Sequence, residues 1–398
     1  MNTRPIQLGF TLIGDGQWKG GLNYQRTLFQ LLAGPLAGRI EPCLFVTPEQ
    51  EALVRNAFES FLPKRLVIDR RVSGAGRGRR GIEALATGRD WAFAALVQEN
   101  GVDVVFETAR FFGWRFPLPI VSWMPDFQHR HLPNLFTRKT WWRREVGFRM
   151  QTFGCRVMLL SSEAARHDCE TFYPRTQGRT RIAKFSSAID LAEVKIHAQA
   201  VRIAYDLPDR FVYLPNHFWT HKNHAVVLNA LRRLKELGSL HNALPVVMSG
   251  PVEDHRNAGL FERAVAMASA EGLLPWFRHI GLVPYNDVLA LNATADAVVN
   301  PSLFEGWASS VEEAKSLGTP LLLSDIPVHR EQAPDAAFFS AHDAEALARL
   351  LLRVTRRPAM DGVELIVANA NRIREFAASF VDAVQAINQE GGTRSWGG

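Results

Sequence analysis

The chain has 398 residues, more than one hydrophobic core usually organises, so we expect two domains. Its composition, 47% hydrophobic and 22% charged, is that of an ordinary globular protein, and no apolar run reaches the roughly eighteen residues that would span a bilayer. The three cysteines, Cys43, Cys155 and Cys169, lie far apart, which favours buried thiols over a disulfide or metal framework and predicts a cytoplasmic protein.

The net charge of +6 is unevenly distributed, with +10 over residues 1–190 and −4 over the remainder. Basic residues concentrate at 70–80, 138–144 and 175–184, and the second cluster also contains paired tryptophans. This mixture is suited to an anionic membrane, and peripheral contact with the inner face of the cytoplasmic membrane is one hypothesis. A solvated face that aids solubility explains the charge equally well. Nucleic acid is not an expected partner, because no nucleic-acid motif accompanies the basic residues.

The first half of the chain alternates short apolar runs with helical patterns. Residues 6–13 predict a buried strand, followed by a Gly-rich loop and a helix from about Leu22 to Ala33. Helices are also expected at Asp90–Glu99 and Glu163–Phe172. Further strands are predicted at 42–46, 65–68, 103–107, 120–124 and 157–161. This alternation is typical of βαβ units around a parallel sheet.

The same alternation restarts after residues 186–190 and a polar connection. The predicted elements are a strand at 210–216, a helix near 226–237, a strand at 244–251, a helix near 259–271, a strand at 278–283, a helix near 286–293 and a strand at 296–302. Each half of the chain therefore predicts one doubly wound α/β domain.

The domain boundary is expected between about residues 190 and 208, and we place the first domain at 1–195 and the second at 196–372. An amphipathic helix over 373–390 could return to the first domain. The Gly-rich tail over 391–398 is expected to be flexible.

The most informative stretch is residues 300–325, NPSLFEGWASSVEEAKSLGTPLLLSD. It predicts a strand, a loop that carries Glu305, a short helix that carries Glu313, and a second strand. A Ser-x-x-Glu pattern beginning at Ser309 has the form of a capping box, so the helix should start at Ser309 or Ser310. A helix start favours a phosphate, and carboxylates accept hydrogen bonds from sugar hydroxyls. The combination suggests a nucleotide-sugar site.

A second constellation lies in residues 215–231, PNHFWTHKNHAVVLNAL, which predict a strand end, a polar loop and a helix from near Asn223. Lys222 stands at the mouth of that helix, where a cation beside free N–H groups would hold a diphosphate. Three polar side chains of the loop could assist it: Asn216, His217 and His221. A lysine that faces solvent beside satisfied histidines is the ordinary alternative, which this stretch alone leaves open.

A glycine pair lies where the first strand turns into the first helix. Gly20 and Gly21 would let the backbone approach a phosphate or sugar closely. The stretch is not a dinucleotide fingerprint, because Lys19 stands where the third glycine should follow Gly14 and Gly16.

Polar side chains also follow the strand at 120–124. Asp126, Gln128, His129 and His131 come directly after it, at the edge of the sheet where α/β enzymes place their sites. The His-x-His pair could indicate a metal, but no Asp, Glu or Cys partner falls at ligand spacing. We interpret the segment as a polar loop on the acceptor side, and no metal is expected.

Together these four elements resemble glycosyltransferase family 4, the retaining GT-B enzymes. The resemblance covers nearly the whole chain and is strongest over 210–335. The family signature is a glutamate, seven intervening residues and a second glutamate, and Glu305 and Glu313 fit it. Residues 279–302 are similar to the segment that leads into this motif, and 246–251 to the strand before the donor cleft. The resemblance implies an α/β GT-B fold of two doubly wound Rossmann-like domains that face each other across a cleft.

The resemblance also assigns roles. The first glutamate of the family contacts the transferred hexose and the second holds the ribose, which gives these roles to Glu305 and Glu313. Lys222 matches the lysine that grips the diphosphate. The usual partner arginine, five residues earlier, is His217 here. One positive charge is therefore missing, and either the phosphates protonate His217 or another arginine compensates.

On the acceptor side, the family commonly has a histidine before the aspartate, where this chain has Pro125. His129 or His131 could substitute for it. The loop that contains them resembles a subgroup that acts on surface polysaccharides.

The resemblance thus predicts a full set of site residues. Catalytic roles are predicted for Glu305, Lys222 and Asp126. The predicted donor-binding residues are Glu313, His217, Asn216, Gly20, Gly21, Gly250, Val283, Gly306, Trp307, Ala308 and Ser309. The last three would bind the distal phosphate and sugar through backbone N–H groups, although the family often has glycine where Ala308 stands. The predicted acceptor-side residues are Gln128, His129 and His131.

The implied activity is transfer of a hexose, such as mannose or glucose, from a nucleoside-diphosphate sugar to a polysaccharide or lipid-linked glycan, with retention and without cofactor or metal. An epimerase or phosphorylase on the same scaffold is a less favoured alternative. A catalytically silent sugar-binding or scaffold protein is another, suggested by the missing arginine at 217. The base, the sugar, the acceptor and the linkage stay open.

Overall fold

The computed structural model describes residues 4–13, 19–72, 83–108, 110–357 and 362–393. The chain divides into two compact units. The first unit contains Met1–His129, Thr137–Phe185 and the chain from Arg372 onwards, and the second contains Arg130–Phe136 and Ser186–Asn371.

The described strands of the first unit form one parallel sheet in the order β3-β2-β1-β4-β5-β6-β7. They are β1 (Ile6–Thr11), β2 (Ile40–Val46), β3 (Arg65–Ile68), β4 (Val104–Glu107), β5 (Ile120–Trp123), β6 (Arg156–Leu160) and β7 (Thr180–Ile182). Every residue of β4, β5 and β6 is buried, as expected for strands covered on both faces. The helices of this half are α1 (Lys19–Ala33), α2 (Glu51–Phe58), α3 (Trp91–Glu99), α4 (Gln128–His131), α5 (Arg138–Gln151) and α6 (Glu163–Phe172).

The described strands of the second unit form a parallel sheet in the order β10-β9-β8-β11-β12-β13. They are β8 (Val212–Leu214), β9 (Val246–Met248), β10 (Phe277–His279), β11 (Ala297–Asn300), β12 (Leu321–Ser324) and β13 (Ala337–Phe339). The helices are α7 (Leu191–Ala204), α8 (His224–Glu236), α9 (Leu260–Ala270), α10 (Tyr285–Thr294), α11 (Ser309–Ser316), α12 (Pro327–Gln332) and α13 (Ala344–Leu351). The last helix, α14 (Val363–Thr393), begins in this unit and belongs to the first unit from Arg372 onwards.

Both sheets are doubly wound, which confirms the predicted fold class. In each sheet the chain winds outward from one central strand and then returns to its other side, so the direction of winding reverses between β1 and β4 and between β8 and β11. The loops that follow two such neighbouring strands diverge and form a crevice at the carboxyl ends of the strands. Proteins of the α/β class bind their ligands in this crevice. The loops after β8 and β11 carry Lys222 and Glu305.

Three stretches differ from the sequence prediction. The expected polar connection after residue 190 is the helix α7, whose first turn is capped by the Asp190 carboxylate, which accepts bonds from two backbone N–H groups. The second unit includes α7 and the residues that precede it from Ser186. The last helix, α14, begins at Val363 and reaches Thr393, so the predicted flexible tail is helical at its start, and residues 394–398 lie outside the described residues.

Three further observations bear on the sequence predictions. Among the described residues, no helix is both long and apolar enough to cross a membrane. Cys43 and Cys169 are buried free thiols, whereas Cys155 is partly exposed. Of the three basic clusters, most of the first, residues 73–80, lies outside the described residues.

Candidate functional site

The site centres on an ion pair between the loops that follow β8 and β11. Lys222 Nζ lies 2.6 Å from Glu305 Oε1, and the two side chains are only 15% and 9% exposed. The loops are also joined through the backbone, because Leu303 N–H donates to the His221 carbonyl at 2.8 Å. Asn223 adds a third link, since its side-chain amide donates to the Pro301 carbonyl at 3.0 Å. Two of the three predicted catalytic residues, Lys222 and Glu305, are therefore held together.

The charge state of Glu305 follows from its surroundings. Burial alone would raise the pKa of this carboxyl, but the positive charge of Lys222, assisted by His221 and by hydrogen bonds from Lys222 and Ser302, outweighs burial and lowers the pKa to about 2. Glu305 is thus a carboxylate at neutral pH, able to accept hydrogen bonds from hydroxyl groups.

The turn that carries Lys222 is anchored on the neighbouring loop by Asp254. The Asp254 carboxylate accepts bonds from the backbone N–H and the hydroxyl of Thr220 at 2.8 and 2.9 Å, and from the backbone N–H of Arg256 at 3.0 Å. Burial opposes the charge of Asp254, yet these bonds hold its pKa at about 2. Sequence reasoning missed Asp254, because no motif spacing connects it to Lys222.

The helix α11 starts at Ser309, as predicted, but the expected capping box is wrong. Neither Ser309 nor the preceding residue caps the helix through its side chain. Instead, Gln332 holds the peptide of Ala308, whose N–H donates to Gln332 Oε1 at 3.3 Å and whose carbonyl accepts from Gln332 Nε2 at 2.8 Å. The Ala308 N–H, predicted to bind phosphate, is therefore already engaged. Glu312 pairs with Lys315 at 3.3 Å and also accepts a bond from Gln332 Nε2 at 3.4 Å.

Glu313 lies one turn into α11 and is buried. Its Oε1 accepts a hydrogen bond from the Tyr285 hydroxyl at 3.1 Å. Burial raises the pKa of Glu313 to about 7, even though the bond from Tyr285 opposes the shift. Sequence reasoning missed Tyr285, the first residue of α10, which precedes Glu313 by 28 positions in the sequence.

Three other predicted donor-binding residues gather at the ends of β8, β9 and β10. Gly250 has φ of +131°, and a Cβ there would lie 3.0 Å from the Asn216 carbonyl, so only glycine fits. The Asn216 side chain is buried, and its Nδ2 has no hydrogen-bond partner among the described residues. Val283 packs its side chain into the core beside Tyr213, so only its backbone could face a ligand.

His217, which stands where the resemblance places an arginine, is neutral. Burial, reinforced by the charge of Lys222, lowers the pKa of His217 to about 4. An arginine lies nearby: Arg256 Nη2 donates to His221 Nδ1 at 3.2 Å. The Arg256 guanidinium is also 5.4 Å from the centre of the Trp219 ring, which in turn is 4.5 Å from the His217 ring.

The other predicted residues of the loop after β11 lie in the same segment as Glu305. Gly306, Trp307 and Ser309 connect Glu305 to the first turn of α11 and are partly buried.

The predicted residues of the first unit are placed differently. Gly20 is exposed and Gly21 buried in the first turn of α1, and the loop before them, residues 14–18, lies outside the described residues. Asp126 accepts bonds from the Gln128 backbone N–H and from the Arg144 guanidinium, and the Gln128 side chain is buried.

His129, which was predicted for the acceptor side, lies in the interior. Its side chain is fully buried in the first unit and lies 3.2 Å from the carboxylate of Glu145, which also accepts a bond from the Tyr173 hydroxyl at 2.8 Å. His131 belongs to the second unit, where its ring stacks on Phe304, the residue before Glu305, at 4.9 Å.

Comparison with known proteins agrees with this arrangement. Residues 201–372 match the family model described as Glycosyl transferases group 1. O-antigen chain mannosyltransferase B of Escherichia coli is 33% identical over 79 residues, which cover 20% of this chain and 21% of that protein, so the match spans about a fifth of the relative's length.

Solved structures are similar over nearly the full length. A glycosyltransferase from Rickettsia africae has a TM-score of 0.70 at 12% identity, covering 98% of this chain and 100% of that one. The Anabaena protein HepE, in complex with UDP and glucose, has a TM-score of 0.60 at 14% identity, covering 97% and 98%. These likenesses show the GT-B fold that the sequence predicts.

Proposed function

We propose, from the match of residues 201–372 to the family model described as Glycosyl transferases group 1, that the protein moves a hexose, with retention, from a nucleoside-diphosphate sugar to a glycan or lipid-linked acceptor. The observation that carries this proposal is the Lys222–Glu305 pair, whose charged atoms lie 2.6 Å apart, with Glu305 in the segment that leads to the start of α11. The Lys222 cation and the nearby helix start can bind phosphate, and the Glu305 carboxylate can accept hydrogen bonds from sugar hydroxyls.

The charges of the site suit the breaking of a glycosyl–phosphate bond. Negative charge grows on the departing nucleoside diphosphate, where Lys222 and the backbone N–H groups at the start of α11 would stabilise it. Glu305 would accept bonds from hexose hydroxyls and Glu313 from the ribose. Arg256, close to His221, is the candidate to supply the charge that neutral His217 does not.

Retention of anomeric configuration is inferred from the family resemblance. The acceptor would approach on the same face as the leaving diphosphate, and a phosphate oxygen would take the acceptor proton. Asp126, Gln128 and His131 remain the proposed residues of the acceptor side.

The donor and acceptor classes are supported by what the similar proteins are. HepE was solved with UDP and glucose, and the Escherichia coli relative is an O-antigen chain mannosyltransferase. A glucose or mannose donor and a surface-polysaccharide acceptor are therefore the first to test.

We extend the proposal to the membrane through α5. Trp142 is 57% exposed and Val146 41%, one turn apart on this helix. Lys139 and Arg143 are exposed beside them. An apolar pair rimmed by cations suits an anionic bilayer surface. Sedimentation with phosphatidylglycerol vesicles at low salt should fall in Trp142→Ala and Arg143→Ala, and unchanged sedimentation would remove the proposal.

The activity is tested by incubating the protein with UDP-glucose or GDP-mannose and a lipid-linked glycan, and following the product by NMR. A product whose anomeric configuration matches the donor is expected. An inverted product would contradict retention, and reaction without any acceptor would favour an epimerase.

One observation favours a second candidate, a catalytically silent sugar-nucleotide-binding protein. His217 is neutral where the resemblance expects a permanent cation. Binding of UDP or GDP without any turnover of the sugar nucleotide, across several acceptors, would support that candidate.

A further inference from the structure

The Ser302 hydroxyl lies between two acceptors and can serve only one of them. It is 2.6 Å from Glu305 Oε1 and also 2.6 Å from Asn300 Oδ1. Ser302 and Asn300 are fully buried. Because a serine hydroxyl has one hydrogen, it donates to one of these oxygens at a time.

Both acceptors have a second donor, so either position of the hydrogen leaves each of them with a partner. Glu305 Oε1 also accepts from Lys222 Nζ at 2.6 Å. Asn300 Oδ1 also accepts from the Ser302 backbone N–H at 3.2 Å. The Asn300 amide is oriented by its other end, since Nδ2 donates to the Ser310 hydroxyl at 3.2 Å.

The proposed function creates a problem that this arrangement solves. If Lys222 is to hold a diphosphate, its ammonium must share or leave its bond to Glu305. A buried carboxylate that loses its cation is costly unless another donor replaces it. An O–H group 2.6 Å from a carboxylate makes a charge-assisted bond, which is stronger than a bond to a neutral amide oxygen.

We propose that Ser302 is a positioning residue whose hydroxyl acts as a hydrogen-bond switch, an inference that rests on the proposed function. The hydroxyl is shared between Asn300 and Glu305 while Lys222 neutralises Glu305, and it donates to Glu305 alone when a nucleoside diphosphate draws Lys222 away. The hydrogen stays on the serine oxygen, so only its direction changes. Glu305 thereby keeps its place against the hexose in the loaded site.

A double-mutant cycle without any substrate tests the switch. In Ser302→Ala the Lys222 ammonium still holds Glu305, and in Lys222→Met the serine hydroxyl does, but in the double variant neither remains. The double variant should therefore unfold more easily than additivity allows, by about tenfold in the equilibrium constant from urea titrations at pH 7.5. Strict additivity would overturn the switch. If Ser302→Ala does not fold, Ser302→Cys replaces it, because a thiol fits but donates weakly.

The first unit offers a matched control. Ser122 is also fully buried and donates at 3.1 Å to a buried glutamate, Glu107, which is paired with Arg156 at 2.9 Å. Ser122→Ala thus removes the same kind of bond at a distance in sequence from Lys222. Combined with Lys222→Met, it should be additive within about twofold.

Titration with UDP and GDP provides the second readout. Ser302→Ala should weaken nucleotide binding by about tenfold. In a Glu305→Gln background the same substitution should change binding by less than about twofold, because the neutral glutamine does not need a replacement donor when Lys222 moves to the nucleotide. Equal weakening in both backgrounds would overturn the switch. If the wild type binds neither nucleotide, the proposed donor class fails, and the substrate-free cycle still decides the role of Ser302.

Discussion

The Lys222 ammonium and the Glu305 carboxylate are 83 positions apart in sequence and 2.6 Å apart in space. They meet because β8 and β11 are hydrogen-bonded neighbours at the point where the strand order of the second sheet reverses. Each residue neutralises the other when no ligand is bound. A ligand that carries both phosphate and hydroxyl groups can replace the pair, with phosphate on the lysine and hydroxyls on the glutamate.

Replacing Lys222 by alanine should abolish most of the activity. Removing a preorganised cation from a developing negative charge typically costs about a hundredfold or more in kcat. The measurement is release of nucleoside diphosphate from the sugar nucleotide. Lys235→Ala is the control, because Lys235 is exposed and bonds only to the Glu271 carbonyl among described residues. Equal activity in the two variants would contradict the role of Lys222.

Glu313 should make the unliganded protein less stable as the pH rises. The folded protein holds this proton with a pKa of about 7, whereas the reference pKa is 4.5, so the free energy of unfolding falls between these values. The contribution of Glu313 is on the order of 3 kcal/mol, present below pH 4.5 and lost by about pH 7. Urea unfolding across this range should show a flatter pH dependence in Glu313→Gln than in the wild type.

The Glu313 carboxyl should release a proton when a nucleotide binds near pH 7. Ribose hydroxyls that donate to Glu313 favour its charged form and lower its pKa. Calorimetry in buffers of different ionisation enthalpy measures the released proton. Proton release is expected in the wild type and not in Glu313→Gln. Proton release of the same size in both proteins would mean that the ribose does not bind at Glu313.

His224 should destabilise the protein at acid pH. Burial, with the charges of His279 and Lys222, lowers its pKa from 6.5 to about 3, so unfolding takes up a proton below pH 6.5. The loss amounts to about 2 kcal/mol at pH 5. His224→Leu should lose correspondingly less stability between pH 7.5 and 5, and the exposed His255→Gln should behave as the wild type. Parallel curves for His224→Leu and the wild type would refute this assignment.

Gly250→Ala should disturb the site more than an equivalent change elsewhere. The added Cβ would meet the Asn216 carbonyl at 3.0 Å in a backbone conformation that favours glycine. Gly238 also has positive φ, +68°, but a Cβ there meets nothing within 4 Å. We expect a loss of about 1 kcal/mol for Gly238→Ala and of 2 kcal/mol or more for Gly250→Ala, with weaker nucleotide binding only in the latter. Equal losses in urea unfolding would contradict the close approach.

The periodicity of the sequence was sufficient for the fold and for the two loops of the site. Buried parallel strands leave continuous apolar runs, and the polar residues that follow them must gather at one edge of the sheet. This reasoning located Lys222, Glu305 and Glu313. It failed for α7, because a helix with exposed apolar residues such as Ile196 and Ile203 resembles a connecting segment in sequence.

The remaining errors arise from tertiary contacts that leave no local pattern. The start of α11 is bonded by Gln332, a residue of α12, so the local capping box did not form. His129 is buried against Glu145, although its neighbours in the sequence are polar. Tyr285, Asp254 and Ser302 support the site through side-chain bonds that only the folded sheet brings together.

The central claim, that Lys222 and Glu313 together hold a nucleoside diphosphate, is tested most directly by calorimetric titration with UDP, GDP, dTDP and ADP. We expect one or two of these nucleotides to bind the wild type, with affinity reduced about tenfold or more in Lys222→Ala and in Glu313→Ala. Unchanged affinity in both variants, or no binding of any of the four nucleotides to the wild type, would contradict the account.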